Sequence, residues 1–305
     1  MSAARLDKLV VVGVGLIGGS LALALREAGA VRSVVGVGRT AQNLARARAR
    51  GIIDSALTLD DDWAAEARDA DVVLLATPVA QYPLLLQALR SRIGAQTIVT
   101  DAGSTKDDVV VAARAALGPA LPRFVPAHPI AGGERSGADA ADAGLFRDRR
   151  VILTPLPDTD AHAVARVREL WQLAGAQVSE LAPGRHDRIL GAVSHLPHVL
   201  AFALVDALAA REDSDALFAH AGSGLRDFTR IAASSPEMWR DIALANRAAL
   251  LAELDLYRGA LDAVVRALEQ ADAGALEAMM ARAAHARRAW AAAATYPRDT
   301  GGDDA

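Results

Sequence analysis

The chain has 305 residues, of which 52% are hydrophobic and 23% are charged, and its formal net charge is −4. A chain of this length and apolar content can bury a large core and is long enough for two domains. The small negative charge predicts no bulk attraction to nucleic acid or to an anionic membrane surface. The absence of cysteine excludes disulfides, thiolate catalysis and cysteine-ligated zinc, and it fits a reducing, cytoplasmic compartment. We find no apolar run long enough for a bilayer, and we therefore expect no membrane span.

A buried strand followed by a glycine-rich turn is predicted near the start of the chain. Residues 9–12 are all apolar, residues 21–28 have a helical pattern, and Gly13, Gly15 and Gly18 between them have the spacing G-x-G-x-x-G. In such a loop the first glycine permits a tight turn, the second lets a pyrophosphate approach the backbone, and the third lets the helix pack on the strand. Free N–H groups and the helix dipole would hold the anion. The pattern predicts a dinucleotide-binding loop, and the alternative is a glycine-rich turn without a ligand.

The end of the second predicted strand, residues 33–38, is where such a domain distinguishes NAD from NADP. An acidic residue there would bind the ribose hydroxyls of NAD, but this chain has Gly38, Arg39 and Thr40. Because a guanidinium can pair with a 2′-phosphate, the sequence favours NADP over NAD. The alternative is a solvated arginine at the start of a helix over residues 42–50, with NAD accepted.

Polar side chains follow two further predicted strands at the carboxyl edge, where open α/β sheets bind their ligands. Residues 71–76 form one strand and end at Thr77 and a proline, and residues 97–100 form the next. The second strand continues into an Asp-Ala-Gly-Ser-Thr-Lys segment that contains Ser104. The alternative for this segment is helix capping by Ser104 or the threonine after it.

A histidine ends a short strand that follows. His128 lies between two prolines and before a glycine turn, so its imidazole is held on a stiff loop. An imidazole titrates near neutral pH and suits a proton acceptor. The alternative is a histidine that only hydrogen-bonds the backbone of its loop.

From Pro183 onward only helical patterns appear. Residues 186–210 predict one long helix in which His195 and His198, three positions apart, could share a face, and Pro197 should kink or interrupt it. No third ligand stands nearby, so we predict no metal site.

The rest of this half continues with helices. Arg226 and Arg230 flank Asp227 at the start of a helix and could bind carboxylates, or could form a solvated helix start. An apolar stripe from Leu250 to Leu268 suits a core or a subunit interface. The predicted organisation is a dinucleotide domain over residues 1–182, an all-helical domain over 183–295 and a disordered tail over 296–305.

Five motifs occur in one order along the chain, and together they resemble the prephenate/arogenate dehydrogenase family, the cyclohexadienyl dehydrogenases of tyrosine biosynthesis. The motifs are VGVGLIGGS at 12–20, TDAGSTK at 100–106, HPIAG at 128–132, SHLPH at 194–198 and DFTR at 227–230. The resemblance covers residues 7–295. It implies an α/β Rossmann domain followed by an all-α dimerisation domain like that of 6-phosphogluconate dehydrogenase, and a homodimer. With no mutase segment and no ligand-sensing domain, the chain is expected to be the monofunctional form.

The resemblance also implies the reaction. Hydride leaves the hydroxyl-bearing ring carbon of prephenate or arogenate for NAD(P)+, and the ring carboxylate leaves as CO2. The products are 4-hydroxyphenylpyruvate or tyrosine, and tyrosine would compete for the same pocket. An amine on the substrate side chain would need a carboxylate, for which Asp187 or Glu134 could serve, although Asp187 could equally be a helix-start residue.

The resemblance assigns roles to individual residues. His128 accepts the hydroxyl proton, and Ser104 hydrogen-bonds that histidine or the hydroxyl. Arg230 holds the ring carboxylate and His198 contacts the substrate side chain. Glu134 and Asp227 are expected to order the site, and Arg226 to reach the neighbouring subunit's substrate. Lys106 and Trp239 are expected near the cleft without an assigned role. The residues expected to bind the cofactor are Gly13, Gly15, Leu16, Ile17, Gly18 and Thr77.

Two other classes compete with this interpretation. Another reductase of the same layout, an imine reductase or a β-hydroxyacid dehydrogenase, would share the fold, but the latter should have a catalytic lysine in its helical half. Residues 183–294 contain no lysine, which argues against it. A non-catalytic NADP-binding regulatory dimer is the other class, and the presence of His128, Ser104 and Arg230 argues against that.

Overall fold

A computed structural model describes residues 5–133 and 135–293. They form two compact units, one that ends at Leu250 and one that begins at Leu251. The tail expected over residues 296–305, and Glu134, lie outside the described residues. The domain boundary expected after residue 182 falls inside the first unit and stays a prediction.

Among the described residues before Pro183 there are nine strands and five α-helices, together with short 3₁₀ turns. The strands are β1 (Leu6–Val12), β2 (Val31–Gly38), β3 (Ser55–Thr58), β4 (Val72–Leu75), β5 (Ile98–Asp101), β6 (Phe124–Val125), β7 (Ala127–Pro129), β8 (Arg150–Leu153) and β9 (Gln177–Glu180). The helices are α1 (Leu16–Glu27), α2 (Ala41–Ala49), α3 (Tyr82–Leu89), α4 (Asp107–Leu117) and α5 (Ala161–Leu173).

The main sheet is parallel and has the strand order β3-β2-β1-β4-β5-β6. The order reverses beside β1, which is the place where ligands bind in open parallel sheets. Residues 9–12 of β1 are apolar without alternation because both faces of the strand are covered there. Leu9 and Val11 belong to the core that contains α1 and α5 residues, whereas Val10 and Val12 belong to the core that contains α3 and α4 residues.

A second sheet places His128. It has the order β7-β8-β9, with β7 antiparallel to β8 and β9 parallel to it. His128 is the middle residue of β7 and pairs with Ile152 of β8. The imidazole is therefore held by strand pairing rather than by a loop alone.

All described residues from Pro183 onward are helical or in turns, as predicted. The helices are α6 (Pro183–Leu190), α7 (Leu196–Ala209), α8 (Ser214–Ala219), α9 (Ser223–Thr229), α10 (Pro236–Ala245), α11 (Arg247–Glu269) and α12 (Ala273–Ala293). Several apolar side chains of the second unit are exposed in the single chain, as expected for a subunit interface. They are Leu251, Leu256, Leu261, Val265 and Leu268.

The predicted helix over residues 186–210 is interrupted. α6 and α7 are joined by a π-helical turn, Gly191–His195, and Pro197 lies in the first turn of α7. Proline has no N–H for the α-helical ladder and clashes with the preceding turn, so the backbone accommodates an extra residue just before it. The interruption that Pro197 predicts is confirmed.

Taken together, Pro183–Ala209 is a 27-residue stretch long and apolar enough to cross a membrane by length and composition alone. The expectation that no stretch reaches that length is therefore wrong. The same test is passed by helices that pack inside proteins, and this stretch carries the buried polar side chains His186, Asp187 and His195.

Candidate active site and nucleotide-binding loop

The glycine loop between β1 and α1 has the geometry that its spacing predicts. Gly13 has a φ of 101°, which L side chains rarely adopt, and a Cβ there would lie 2.5 Å from the carbonyl oxygen of Ala76. A Cβ on Gly18 would overlap the carbonyl oxygen of Gly13. Around Gly15 there is open space, with nothing within 4 Å of its Cβ position. The first and third glycines are thus fixed by the fold, and the second faces room for a ligand.

The first turn of α1 offers unpaired backbone donors. No side chain caps it, and among residues 5–133 and 135–293 no hydrogen bond accounts for the N–H groups of Leu16, Ile17 and Gly18. Such N–H groups at the positive end of a helix bind anions. These residues therefore fit the pyrophosphate of a dinucleotide.

The end of β2 presents Arg39 on the surface. Thr40 is the N-cap of α2, where its Oγ1 accepts a hydrogen bond from the N–H of Asn43 at 3.4 Å. Farther along α2, Arg46 pairs with Asp139 at 3.2 Å. The arginine directly after the strand is thus the cation best placed beside a ribose at this strand end.

The carboxyl end of β4 leads into Thr77, which is half-buried. Its Oγ1 lies 3.4 Å from the carbonyl oxygen of Pro78. The short turn that follows, Val79–Gln81, packs against α10. This edge of the sheet is therefore covered by the helical part of the first unit.

His128 begins a row of buried hydrogen-bonding side chains. Its Nδ1 lies 2.9 Å from Nε2 of His186 on α6, and Nδ1 of His186 lies 2.7 Å from Oδ1 of Asp187. All three residues are buried, with exposed fractions of 9%, 0% and 3%. Nε2 of His128 makes no hydrogen bond within the described part of the chain.

Asp187 connects this row to α4 and α10. Its carboxylate accepts hydrogen bonds from the N–H of Lys106 at 2.9 Å and of Asp107 at 2.8 Å, at the start of α4. Its backbone oxygen accepts from Nδ2 of Asn246 at 2.8 Å, and the same Nδ2 lies 3.0 Å from Nδ1 of His195. The Asp187 side chain is fully engaged, so it does not supply the carboxylate for a substrate amine that the sequence suggested.

Lys106 is part of the framework rather than of a ligand surface. Its ammonium is completely buried, 2.5 Å from Oδ2 of Asp101 and 2.7 Å from the backbone oxygen of Ala127. Oδ1 of Asp101 in turn accepts from the N–H of Ala127 at 3.0 Å. This ion pair attaches the residue before His128 to the end of β5.

Burial keeps His128 neutral. Loss of solvation lowers its pKa well below the usual 6.5, and positive charge on His186 and Lys106 would lower it further. The imidazole is therefore neutral at neutral pH, whereas the sequence predicted one that titrates there, and its role as a base stays a prediction. Burial also lowers the pKa of His195 to about 4.

A second aromatic cluster lies on α7 and α10. The ring of His198 stacks on Trp239 with centroids 3.5 Å apart, and its Nδ1 lies 2.9 Å from the backbone oxygen of Ser194. Burial lowers the pKa of His198, the hydrogen bond to the Ser194 backbone opposes this, and the charge of Arg230 lowers the pKa further. Arg230 begins the turn after α9, which packs against α7.

Two buried N–H donors in this cluster lack partners. Because an N–H of Asn246 faces Nδ1 of His195, the imidazole proton of His195 belongs on Nε2. That nitrogen and Nε1 of Trp239 are buried without a hydrogen-bond partner among the residues that the structure describes. Unpaired buried donors are costly, and a ligand or water with acceptor oxygens would satisfy them.

The structure places the predicted site residues in different surroundings. His198 lies on α7, and Arg230 begins a turn that packs against α7. Arg226 and Asp227 are exposed on α9. Ser104 is half-buried, and no hydrogen bond joins it to His128 in the described structure. The roles given to these residues stay predictions.

His186 and the network role of Asp187 were missed at the level of sequence. The only local signal is a His-Asp pair at the start of a helix. Its partners lie 58 to 81 residues away, and nothing in the spacing points to them.

The fold and loop define a nucleotide-binding oxidoreductase with a Rossmann domain. Residues 21–180 match the family described as prephenate dehydrogenase, nucleotide-binding domain, and residues 182–282 match prephenate dehydrogenase, dimerization domain. The chain belongs to the prephenate dehydrogenase family.

Individual relatives support this family assignment. A prephenate dehydrogenase of Bacillus subtilis is 37% identical over 88% of this chain and 71% of its own length. A cyclohexadienyl dehydrogenase of Zymomonas mobilis is 35% identical over 82% of this chain and 84% of its own length. The crystal structure of prephenate dehydrogenase from A. aeolicus, in complex with hydroxyphenyl propionate and NAD+, matches with a TM-score of 0.85 and 34% identity, over 92% of this chain and 98% of that one.

Proposed function

We propose that this chain catalyses the oxidative decarboxylation of prephenate, arogenate or both, with hydride transfer to NAD(P)+. The observation that carries the proposal is His128. Its imidazole is buried, neutral and hydrogen-bonded through Nδ1, which leaves Nε2 to accept a proton. Membership of the prephenate dehydrogenase family supports the substrate class.

The chemistry asked of the protein follows from the reaction. A bound nicotinamide supplies the acceptor for the hydride that leaves the hydroxyl-bearing ring carbon. His128 takes the hydroxyl proton at Nε2 as the carbon–oxygen double bond forms. The ring carboxylate leaves as CO2, its bonding electrons complete the aromatic ring, and the phenolate oxygen recovers the proton from His128.

Cationic and donor groups on α7, α10 and the turn after α9 would bind the substrate. Arg230 holds the ring carboxylate, because a guanidinium pairs with a carboxylate through two hydrogen bonds. His198 contacts the substrate side chain, and the unpartnered N–H of His195 supports an oxygen-rich ligand beside it. Glu134 and Asp227 order the site, Arg226 reaches the substrate of the neighbouring subunit, and Ser104 hydrogen-bonds His128 or the reacting hydroxyl.

The cofactor assignment is a preference for NADP, with NAD as the alternative. It rests on Arg39 and on the absence of a carboxylate at Gly38, since an acidic residue there would repel a 2′-phosphate. The loop residues Gly13, Gly15, Leu16, Ile17 and Gly18, with Thr40 and Thr77, hold the rest of the cofactor.

Assembly, regulation and location complete the proposal. The chain forms a homodimer through its helical domain, which is supported by the match to a dimerization domain and by the exposed leucines of α11. Tyrosine competes with substrate, because it keeps the ring and side chain of the substrate. The protein works in the cytoplasm without nucleic-acid or membrane partners, which the lack of cysteine and the small net charge support.

The experiment is a four-way grid of initial rates, prephenate or arogenate with NAD+ or NADP+, followed by reduced-nicotinamide absorbance. We expect turnover with NADP+ and at least one of the two substrates. If folded protein that binds NADP+ shows no turnover in any of the four combinations, this would contradict the proposed reaction and favour another reductase or a regulatory dimer.

A further inference from the structure

The direction of every hydrogen bond in the row from His128 to Asp187 follows from one carboxylate. Asp187 accepts backbone N–H groups at the N-terminus of α4 through both of its carboxylate oxygens. A carboxylate whose two oxygens act as acceptors has no proton to donate. Nδ1 of His186, 2.7 Å from Oδ1, must therefore carry the proton of that bond.

The tautomers of both rings are then determined. With its single ring proton on Nδ1, His186 has a lone pair on Nε2, to which Nδ1 of His128 donates across the 2.9 Å contact. The lone pair of His128 consequently lies on Nε2, the nitrogen without a hydrogen bond. This is the arrangement that a base requires.

We propose that His186 and Asp187 are positioning residues for the base His128: they fix its tautomer and ring orientation, and they share the positive charge when it takes a proton. This inference rests on the proposed function. In the step, the substrate O–H bond breaks, an N–H bond forms at Nε2 of His128, and the charge spreads to His186 beside the Asp187 carboxylate.

A purely structural role explains less of the geometry. Asp187 could cap α4 without any histidine, and an apolar side chain at position 186 would fill a buried site at lower desolvation cost. Instead two buried imidazoles meet with ring centroids 5.1 Å apart and planes at 63°. The charged and titratable groups that act on His128 are His186, Lys106 and His195, with Asp187 beyond His186 and Asp101 paired to Lys106. Asp187 is the anion in line with the ring.

Asp187→Asn tests the proposal directly. The amide oxygen can still accept from the backbone of α4, but the amide N–H would face His186 and reverse both tautomers. We expect kcat to fall about 10²- to 10⁴-fold, with KM and the Kd of NADP+ unchanged within about threefold. The matched control is Asp71→Asn, because Asp71 also accepts two backbone N–H groups, from Asp7 and Lys8, without contact to His128. Equal kcat losses in the two variants would overturn the positioning role.

His186→Ala provides a second readout, because it leaves a space the size of an imidazole. Added imidazole should restore part of kcat in this variant. Wild-type kcat in His186→Ala without imidazole would overturn the proposal.

Nitrogen NMR of protein labelled with ¹⁵N-histidine tests the tautomers without turnover. We expect the neutral Nδ1–H form for His128 and His186, and reversal of both to Nε2–H in Asp187→Asn. An Nε2–H form of His128 in the wild-type protein would overturn the inference even where the four-way grid succeeds. If the expected tautomers are found but none of the four substrate–cofactor combinations gives turnover, the proposed function is wrong and the tautomer assignment stands.

Discussion

The glycine loop and the histidine row handle their polar groups in opposite ways. At the loop, the N–H groups of Leu16, Ile17 and Gly18 have no partner in the described structure, and the space at Gly15 is open. In the row, His128, His186 and Asp187 are buried and already hydrogen-bonded to one another or to the backbone of α4.

This difference separates binding from chemistry. Unpaired donors gain their hydrogen bonds only when a ligand arrives, so they contribute to affinity. Groups that are oriented before the reaction need no reorganisation during it, so they contribute to rate. Substitutions in the loop should therefore change cofactor affinity, and substitutions in the row should change kcat.

His128→Asn should have the largest effect. Removing a positioned base lowers kcat about 10²- to 10⁴-fold, while the Kd of NADP+ measured by fluorescence titration stays within about twofold. His162→Asn, an exposed histidine on α5, is the control. Retention of wild-type kcat would remove His128 from the chemistry and would break the contrast between the two regions.

Arg230→Ala should act mainly on substrate affinity. Loss of a charge-assisted pair is worth about 1.5–3 kcal/mol, or about 10- to 100-fold in KM, with a smaller change in kcat. Arg211→Ala, which removes an exposed pair with Asp213, serves as the control. An unchanged KM would exclude Arg230 from the binding site.

The buried histidines His195 and His128 should also make stability depend on pH. The folded pKa of His195 is about 4, below the usual 6.5, so the unfolded chain binds more protons between these values and stability falls as pH falls from 6.5 toward 4. We expect a loss of about 1–2 kcal/mol at pH 5, to which His128 adds in the same direction. Urea unfolding at pH 7 and 5 measures it, and His195→Gln should reduce the slope; an equal slope would refute the assignment.

Gly15→Ala should weaken cofactor binding without destabilising the fold. The added methyl meets no protein atom within 4 Å but occupies the space of the pyrophosphate. We expect the Kd of NADP+ to rise about tenfold, which is about 1.4 kcal/mol, with an unchanged Tm. Gly13→Ala is the contrast, since its φ of 101° and its contact with Ala76 should lower Tm. A lowered Tm in both variants would mean that the loop is not open at Gly15.

Two substitutions at the end of β2 should change the cofactor preference, with a smaller effect than the substitutions above. Gly38→Asp combined with Arg39→Ala should lower the ratio of kcat/KM for NADP+ over NAD+ about tenfold or less, because it adds a ribose-binding carboxylate and removes a cation. Arg48→Ala, on the exposed side of α2, is the control. No shift in the ratio would show that these positions do not contact the ribose.

The same contrast explains what the sequence could predict. The glycine loop could be predicted because its signal is local in sequence. Three glycines within six residues specify both the turn at Gly13 and the close packing at Gly18. The strands β1, β2, β4 and β5 are apolar and were found by pattern alone. β3 escaped detection since its four residues are exposed or half-buried and lack the apolar run that identifies the central strands.

The histidine row could not be predicted in this way. His128 and His186 are 58 residues apart, and Asp187 caps a helix that begins 80 residues earlier in the chain. At the sequence level the only capping considered for α4, as the alternative for this segment, was by Ser104 or Thr105, because capping residues are sought next to the helix they cap. The resemblance to a family supplied His128 but not the two residues that orient it.

The π-helical turn Gly191–His195 has a consequence for any comparison or redesign of this chain. A helix advances about 100° per residue, so a single inserted residue rotates everything after it relative to everything before. Deleting one residue within this turn would swing His198 around the helix axis relative to His186 and Asp187. The direction in which His198 points relative to His186 and Asp187 is therefore set by one additional residue in this turn.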